Sequence, residues 1–213
     1  MKPALGVFGG MFDPVHLGHI HAARYAIDHL DLQKVLLVPC GKPNHRSGAI
    51  SSGNHRLAML RLATADADDL EICDYEVNRE GTSYSVDTLR WLSTRQDGST
   101  LVFIVGMDTF NDLQAWHQWQ DLFELCNFMV LARSGLELDP RLVAAAGLEQ
   151  RRVYEAGELL QHQHGKFWVA GDFDEDVSST GVRQQLQAGI TPDNIQDAVL
   201  RYINEHRLYG RCQ

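Results

Sequence analysis

The chain has 213 residues, enough for one large α/β domain with a sizeable apolar core. Its formal net charge of −9 argues against a nucleic-acid-binding surface, whose footprint would be basic, so any cationic phosphate site must be concentrated locally. No apolar run approaches a membrane span, Met1-Lys2-Pro3 leads into a short strand instead of a signal-peptide core, and the four cysteines form no Cys-x-x-Cys pair, so the expectation is a cytoplasmic protein with reduced thiols.

The first element is an apolar strand end, Leu5 and Val7, that breaks at Gly9-Gly10, passes Asp13-Pro14 and enters a helix through His16 and His19. Glycines remove the Cβ atoms that would keep a ligand from the backbone. A helix start offers free N–H groups and the positive end of its dipole, so this is the layout of a phosphate site. At i and i+3 the two histidines share one helical face. The three-glycine dinucleotide fingerprint and the P-loop Lys-Ser/Thr are both missing, and a zinc site lacks ligands other than Asp13.

These residues, Phe12-Asp13-Pro14-Val15-His16-Leu17-Gly18-His19, resemble the (H/T)xGH signature of the nucleotidyltransferase superfamily, in the G-x-F-D-P-x-H-x-G-H form of bacterial nicotinate-nucleotide adenylyltransferases. The motif alone defines the superfamily, which also contains pantetheine-phosphate adenylyltransferases and cytidylyltransferases. The resemblance implies that Gly9, Gly10, Phe12, His16, Gly18 and His19 bind ATP, with His16 and His19 on its phosphates.

Ile20, Ala23, Ile27 and Leu30 recur at spacings of three and four and predict an amphipathic helix from about Gly18 to Leu30. Val35-Leu36-Leu37-Val38-Pro39 reads as a buried strand, which together with that helix gives a right-handed βαβ unit, a parallel sheet and an active site at the carboxyl ends of its strands. The loop Cys40-Gly41-Lys42-Pro43-Asn44-His45-Arg46 carries three cationic candidates; alone it is an ordinary solvated loop. Beside His16 and His19 it becomes a phosphate clamp of Lys42, His45 and Arg46. It also resembles the family's P-P-H-K/R segment, with Asn44 for the second proline.

A helix after Ser51-Ser52-Gly53 buries Leu57, Leu60 and Ala63 and leaves Arg56 and Arg61 more exposed, although the position of Arg56 resembles a family arginine. Glu71-Ile72-Cys73 and Tyr75-Glu76-Val77 look like strand pieces. In Gly81-Thr82-Ser83-Tyr84-Ser85 both serines are good N-caps. The same stretch is similar to the family's Ser-Tyr-Thr, which lies near the base of the mononucleotide, with Ser85 in the threonine position. Leu101 to Val105 is the clearest central strand. It ends at Gly106-Met107-Asp108, where Asp108 either caps the next helix, accepts bonds from ribose hydroxyls or holds a metal. The resemblance favours the nucleotide for Gly106 and Asp108, and implies that Trp116 stacks on the pyridine ring while the backbone at His117 meets its carboxylate.

Residues 134–165 are weakly patterned: Pro140 to Gly147 reads as helical, and Gln161-His162-Gln163-His164 as a solvated loop without a site. Further on, Ser178 or Ser179 can cap a helix with Arg183 one turn in, on the side of Ser179 and Thr180. This stretch is similar to the superfamily's I-S-S-T-x-x-R motif, and the resemblance puts Ser179, Thr180 and Arg183 on ATP. Thr191-Pro192 predicts the start of a last helix that buries Ile195, Val199, Tyr202 and Ile203 and ends at Leu208-Tyr209 as a structural end piece.

The expected architecture is α/β: a doubly wound, Rossmann-like parallel sheet with helices on both faces, one domain over 1–213, with a small C-terminal helical piece from about 178. The resemblance implies transfer of the adenylyl group of ATP to nicotinate mononucleotide, giving nicotinic acid adenine dinucleotide and pyrophosphate. His16, His19, Lys42 and Arg183 would be the catalytic residues, and Lys42, His45, Arg46, Ser85, Trp116 and His117 the mononucleotide site. Mg²⁺ would accompany ATP without a dedicated protein cage. Nicotinamide mononucleotide or phosphopantetheine as acceptor, and a nucleotide-sensing protein with dead chemistry, are the alternatives. No nucleic-acid or membrane partner is expected, and a homo-oligomer is left open.

Overall fold

The computed structural model describes residues 3–43, 49–95, 98–132 and 135–210. In chain order these form β1 (Ala4–Gly10), α1 (Leu17–Leu30), β2 (Lys34–Pro39), α2 (Gly53–Ala63), β3 (Leu70–Ile72), α3 (Ser85–Ser93), β4 (Thr100–Gly106), α4 (Met107–Asn111) and α5 (Trp119–Leu122). There follow β5 (Asn127–Leu131), α6 (Pro140–Ala145), β6 (Arg152–Val153), α7 (Ala156–Leu159), β7 (Phe167–Ala170), α8 (Ser179–Gln187) and α9 (Asp197–Glu205).

The strands make one sheet in the order β3-β2-β1-β4-β5-β7-β6, and every pairing is parallel. Covered on both faces, such a sheet needs strands that are apolar throughout. Successive residues then feed opposite layers. On β4, Val102 and Ile104 join the layer that holds α1, α2 and α9, while Leu101, Phe103 and Val105 join the layer under α3 and α5. Each fully buried Val, Leu or Phe contributes about 1.5–3 kcal/mol relative to exposure, so both layers resist a one-residue slip of register.

The chain winds outward from β1 to β3, returns to the centre at β4, and winds outward again to β7 and β6. Neighbours β1 and β4 therefore send their following loops to opposite faces, and a crevice opens between their carboxyl ends. The doubly wound expectation holds.

Three local expectations do not. Tyr75–Val77 forms turns instead of a strand. The last helix begins at Asp197, not at Thr191-Pro192: Pro192 and Ile195 are buried in non-helical chain, and the carbonyl of Asn194 is turned to accept the N–H of Leu17 at 2.9 Å, which a helix there would prevent. Arg56 is buried, with 2% of its surface exposed, because its guanidinium turns inward to donate to the carbonyl of Met11 at 3.0 Å.

Candidate active site

At the crevice the loop after β1 is held tightly. The Asp13–Pro14 peptide is cis, and Phe12 sits at φ 49°, in the left-handed region that a bulky residue seldom adopts. Its ring, 1% exposed, lies under Gly10, where an added Cβ would stand 3.1 Å from it. Gly10 therefore makes room for Phe12 as well as lining the crevice. Gly9 is turned toward the Phe103 ring, on the other side of the strand. Gly18 is a packing glycine too, because a Cβ there would meet the His16 ring at 3.2 Å and Val177 at 3.3 Å.

His16 is the N-cap of α1 and His19 its third residue. The rings lie with centroids 3.7 Å apart, and His19 also meets Phe12 edge-on at 4.9 Å. Nδ1 of His19 accepts the N–H of His16 at 3.2 Å. In the neutral ring the hydrogen is then on Nε2, which makes that atom a donor. Burial, and then the charge of His16, hold His19 well below its ordinary value of 6.5, so it is a neutral donor at pH 7. The first amide of α1, on Leu17, is taken by Asn194 and is not offered to a ligand, contrary to the sequence expectation for this helix start.

The second motif arrives from the far end of the chain and docks on the first. Ser178 caps α8 by accepting the N–H of Gly181 at 3.1 Å, and Ser179 and Thr180, the first two residues of that helix, line the crevice. The Ser179 hydroxyl donates to the carbonyl of Pro14 at 2.9 Å. Arg183 donates to the carbonyl of Asp13 at 2.6 Å and to Thr180 Oγ1 at 3.1 Å. Gly10, Phe12, His16, Gly18, His19, Gly106, Asp108, Ser179, Thr180 and Arg183 all line one cleft of about 750 Å³. Gly106 is hemmed in, since a Cβ would stand 2.7 Å from Asp108 Oδ1. Asp108 itself is exposed and makes no capping bond to α4, whose N-cap is Gly106.

Of the residues expected around the mononucleotide, Lys42, Trp116 and His117 are each held by a neighbouring residue. The backbone N–H of Lys42 donates to Ser83 Oγ at 3.2 Å, and the N–H of Ser83 donates back to the carbonyl of Lys42 at 2.8 Å. Tyr84 packs on His117 at 4.3 Å, and half-buried Trp116 meets Phe103 edge-on at 6.0 Å, the ring that Gly9 also faces. Neither serine caps α3: its N-cap is Tyr84, and Ser83 holds the Lys42 loop instead, while Ser85 opens the helix. His45 and Arg46 lie outside the described residues.

Sequence reasoning missed the groups beneath the site. The Asp13 carboxylate, 3% exposed, accepts from Ile50 N–H at 2.6 Å, from the Ser51 hydroxyl at 2.5 Å and from the Tyr209 hydroxyl at 2.5 Å. Burial, and then Asp13, push the Tyr209 hydroxyl pKa up, so it stays a donor. Nothing in the spacing of Asp13 and Tyr209 signals this bond across the whole chain. Burial, followed by the Glu76 carboxylate, pushes the Cys40 thiol up to about 11, which rules it out as a nucleophile at neutral pH.

A doubly wound sheet whose switch-point cleft joins a His-x-Gly-His helix start to a Ser-Ser-Thr-x-x-Arg helix start defines a nucleotidyltransferase-type phosphate site. The cytidylyltransferase-like family model matches residues 7–185. A probable nicotinate-nucleotide adenylyltransferase of Pseudoalteromonas atlantica is 37% identical over 210 residues, spanning 98% of this chain and 96% of its own. One from Shewanella sp. (strain MR-4) is 39% identical, spanning 96% and 98%. The fold is similar to the Plasmodium falciparum nicotinic acid mononucleotide adenylyltransferase complexed with NaAD, at a TM-score of 0.73 with 17% identity over 97% of both chains. It is also similar to a Vibrio parahaemolyticus structure described as a nicotinate-nucleotide adenylyltransferase, at 0.65 with 16% identity, over 97% of this chain and 95% of that one. The chain belongs to the nicotinate-nucleotide adenylyltransferases of the cytidylyltransferase-like family.

Proposed function

We propose that the protein joins ATP to nicotinate mononucleotide, giving nicotinic acid adenine dinucleotide and pyrophosphate in NAD biosynthesis. A phosphate oxygen of the mononucleotide attacks the α-phosphorus of ATP, the bond from that phosphorus to the α–β bridging oxygen breaks, and pyrophosphate leaves with the electron pair. The acceptor phosphate is already an anionic nucleophile, so the chain supplies alignment and charge neutralisation instead of a covalent intermediate. His16 and His19 hold the triphosphate. His19 Nε2–H and the Arg183 donors not engaged by Asp13 and Thr180 meet the departing pyrophosphate, with the Ser179 and Thr180 amides beside them. Gly106 and Asp108 take the nucleotide from β4, and Lys42, His45, Arg46, Ser85, Trp116 and the backbone at His117 take the mononucleotide.

The observation that carries this reading is the pair of bonds from Ser179 to Pro14 and from Arg183 to Asp13, which bring two cationic or donor-rich motifs over one cleft. A divalent ion, Mg²⁺, comes in with ATP and supplies charge neutralisation on its phosphates. Among the described residues no three of His, Cys, Asp and Glu converge, and Asp108 is the exposed carboxylate on the cleft wall that suits such a phosphate-borne ion. Residues 1–213 act as one unit in this reading, with the C-terminal piece tied into the first loop through Asn194 and Tyr209. Among the described residues no helix is long and apolar enough to cross a membrane, and Cys40, Cys73 and Cys126 are free thiols, which suits the cytoplasm.

The test is to mix purified protein with ATP, Mg²⁺ and nicotinate mononucleotide and to follow pyrophosphate and dinucleotide together. Nicotinamide mononucleotide and phosphopantetheine run in parallel. Equal stoichiometric release of both products with the acid acceptor is expected. Faster turnover with either other acceptor, or no pyrophosphate with any, would overturn the assignment.

A further inference from the structure

Two buried charged side chains, Arg56 and Asp13, hydrogen-bond to the two loops that carry the substrate groups. Arg56, on α2, donates from one terminal nitrogen to the carbonyl of Met11, next to Gly10 in the first loop, at 3.0 Å. From the other it reaches the carbonyl of Gly41, next to Lys42 in the second loop, at 3.5 Å. Its Nε is buried without a hydrogen-bond partner, and it forms no ion pair, both among the described residues. Burying a cation without a paired carboxylate is costly, and an apolar side chain would fill the same volume more cheaply. What the guanidinium adds is a rigid planar fork that spans one carbonyl on each loop.

Asp13 does the corresponding work at the other end of the second loop. It belongs to the first loop, and its carboxylate accepts from Ile50 and Ser51, where the second loop rejoins α2. Tyr209, from the end of the chain, closes the ring of donors. Both described ends of the second loop are thus hydrogen-bonded to the first loop through a buried charge.

Resting on the function proposed above, we propose that Arg56 and Asp13 are positioning residues that set the spacing between the ATP-phosphate loop and the acceptor-phosphate loop. Each loop can bind its own phosphate without them, but the attacking oxygen and the α-phosphorus meet only when the spacing is held.

The test is Arg56→Lys, which keeps the charge but replaces the planar fork with a single flexible ammonium, beside Tyr209→Phe, which removes one donor from Asp13. For Arg56→Lys, kcat should fall about 10–100-fold with each KM within about threefold of wild type, since misplacement costs rate more than binding. For Tyr209→Phe, kcat should fall about fivefold on the same argument, with the same split. Should Arg56→Lys not fold, the Tyr209→Phe split decides alone. A kcat within twofold of wild type in the folded variants, or a loss carried entirely by one KM, would overturn the proposal. A wild-type protein inactive on ATP and nicotinate mononucleotide would instead overturn the functional reading itself.

Discussion

Replacing His19 separates catalysis from folding because the ring does two jobs with two different nitrogens. Nδ1 accepts the backbone N–H of His16 at 3.2 Å, the return half of a capping box, which makes Nε2–H the ring's donor toward a phosphate. His19→Ala loses both. The missing cap bond costs about 1 kcal/mol, and the lost contact with Phe12, at 4.9 Å, adds about as much again. In a chain of this size each kcal/mol lowers Tm by about 2–4 °C, so a fall of roughly 4–8 °C is expected. Removing one donor from developing phosphate charge costs about 10²–10³-fold in kcat, far more than the folding penalty implies. Glutamine at the third position of a helix is a natural capping-box partner and also carries an N–H donor. His19→Gln should therefore recover nearly all of the stability and part of the rate. Urea unfolding and pyrophosphate release, measured on wild type, Ala and Gln variants at pH 7.5, give both quantities. An alanine variant that keeps a third of wild-type turnover would remove His19 from the mechanism. A glutamine variant as unstable as alanine would mean the capping geometry is misread.

The same residue makes stability depend on pH. Because burial, then His16, lower its pKa below 6.5, the unfolded chain takes up that proton first; stability is fully present above 6.5 and declines as pH falls into the interval below it. Unfolding free energies of wild type and His19→Gln should lie close together at pH 7.5 and separate as the pH drops to 5, wild type falling below the glutamine variant, and parallel curves would contradict the assignment. Trp116→Ala should raise KM for nicotinate mononucleotide by about 10-fold, the scale of one base–aromatic stack, and leave KM for ATP unchanged; the reverse pattern would mean the two pockets are exchanged. Arg183→Ala should lower kcat by about 10²-fold, since one change removes a phosphate donor and frees the Asp13 carbonyl; steady-state kinetics at saturating substrates test it. Gly41→Ala should destabilise by about 2 kcal/mol or more, because its Cβ would stand 2.1 Å from the Glu76 carbonyl oxygen, whereas Gly157→Ala, with open space around it, should be neutral or stabilising by about 0.5 kcal/mol in denaturant melts.

What the amino-acid order determines by itself is whatever depends on local periodicity and local chemistry. The unbroken apolar runs at Val35–Val38 and Leu101–Val105 fit inner parallel strands buried on both faces, and the glycine pair followed by two histidines at helical spacing has the layout of a phosphate turn. The fold class and the helix at Leu17–Leu30 were legible for that reason, whereas the two helix-start motifs stood out by their resemblance to a known family. What only the tertiary structure decided are the partnerships between groups with no local signature. Arg56 reads as a surface residue on an amphipathic helix until the carbonyls of Met11 and Gly41 are found facing it. Asp13 and Tyr209 stand at opposite ends of the chain, and no spacing predicts that one hydroxyl will cross that distance. Ser83 and Ser85 have equal claims to a cap, and it is the approach of the Lys42 backbone that gives Ser83 another role. A buried polar atom must find a partner, but the chain records only that demand; which partner meets it is settled when the sheet closes and the loops are brought together.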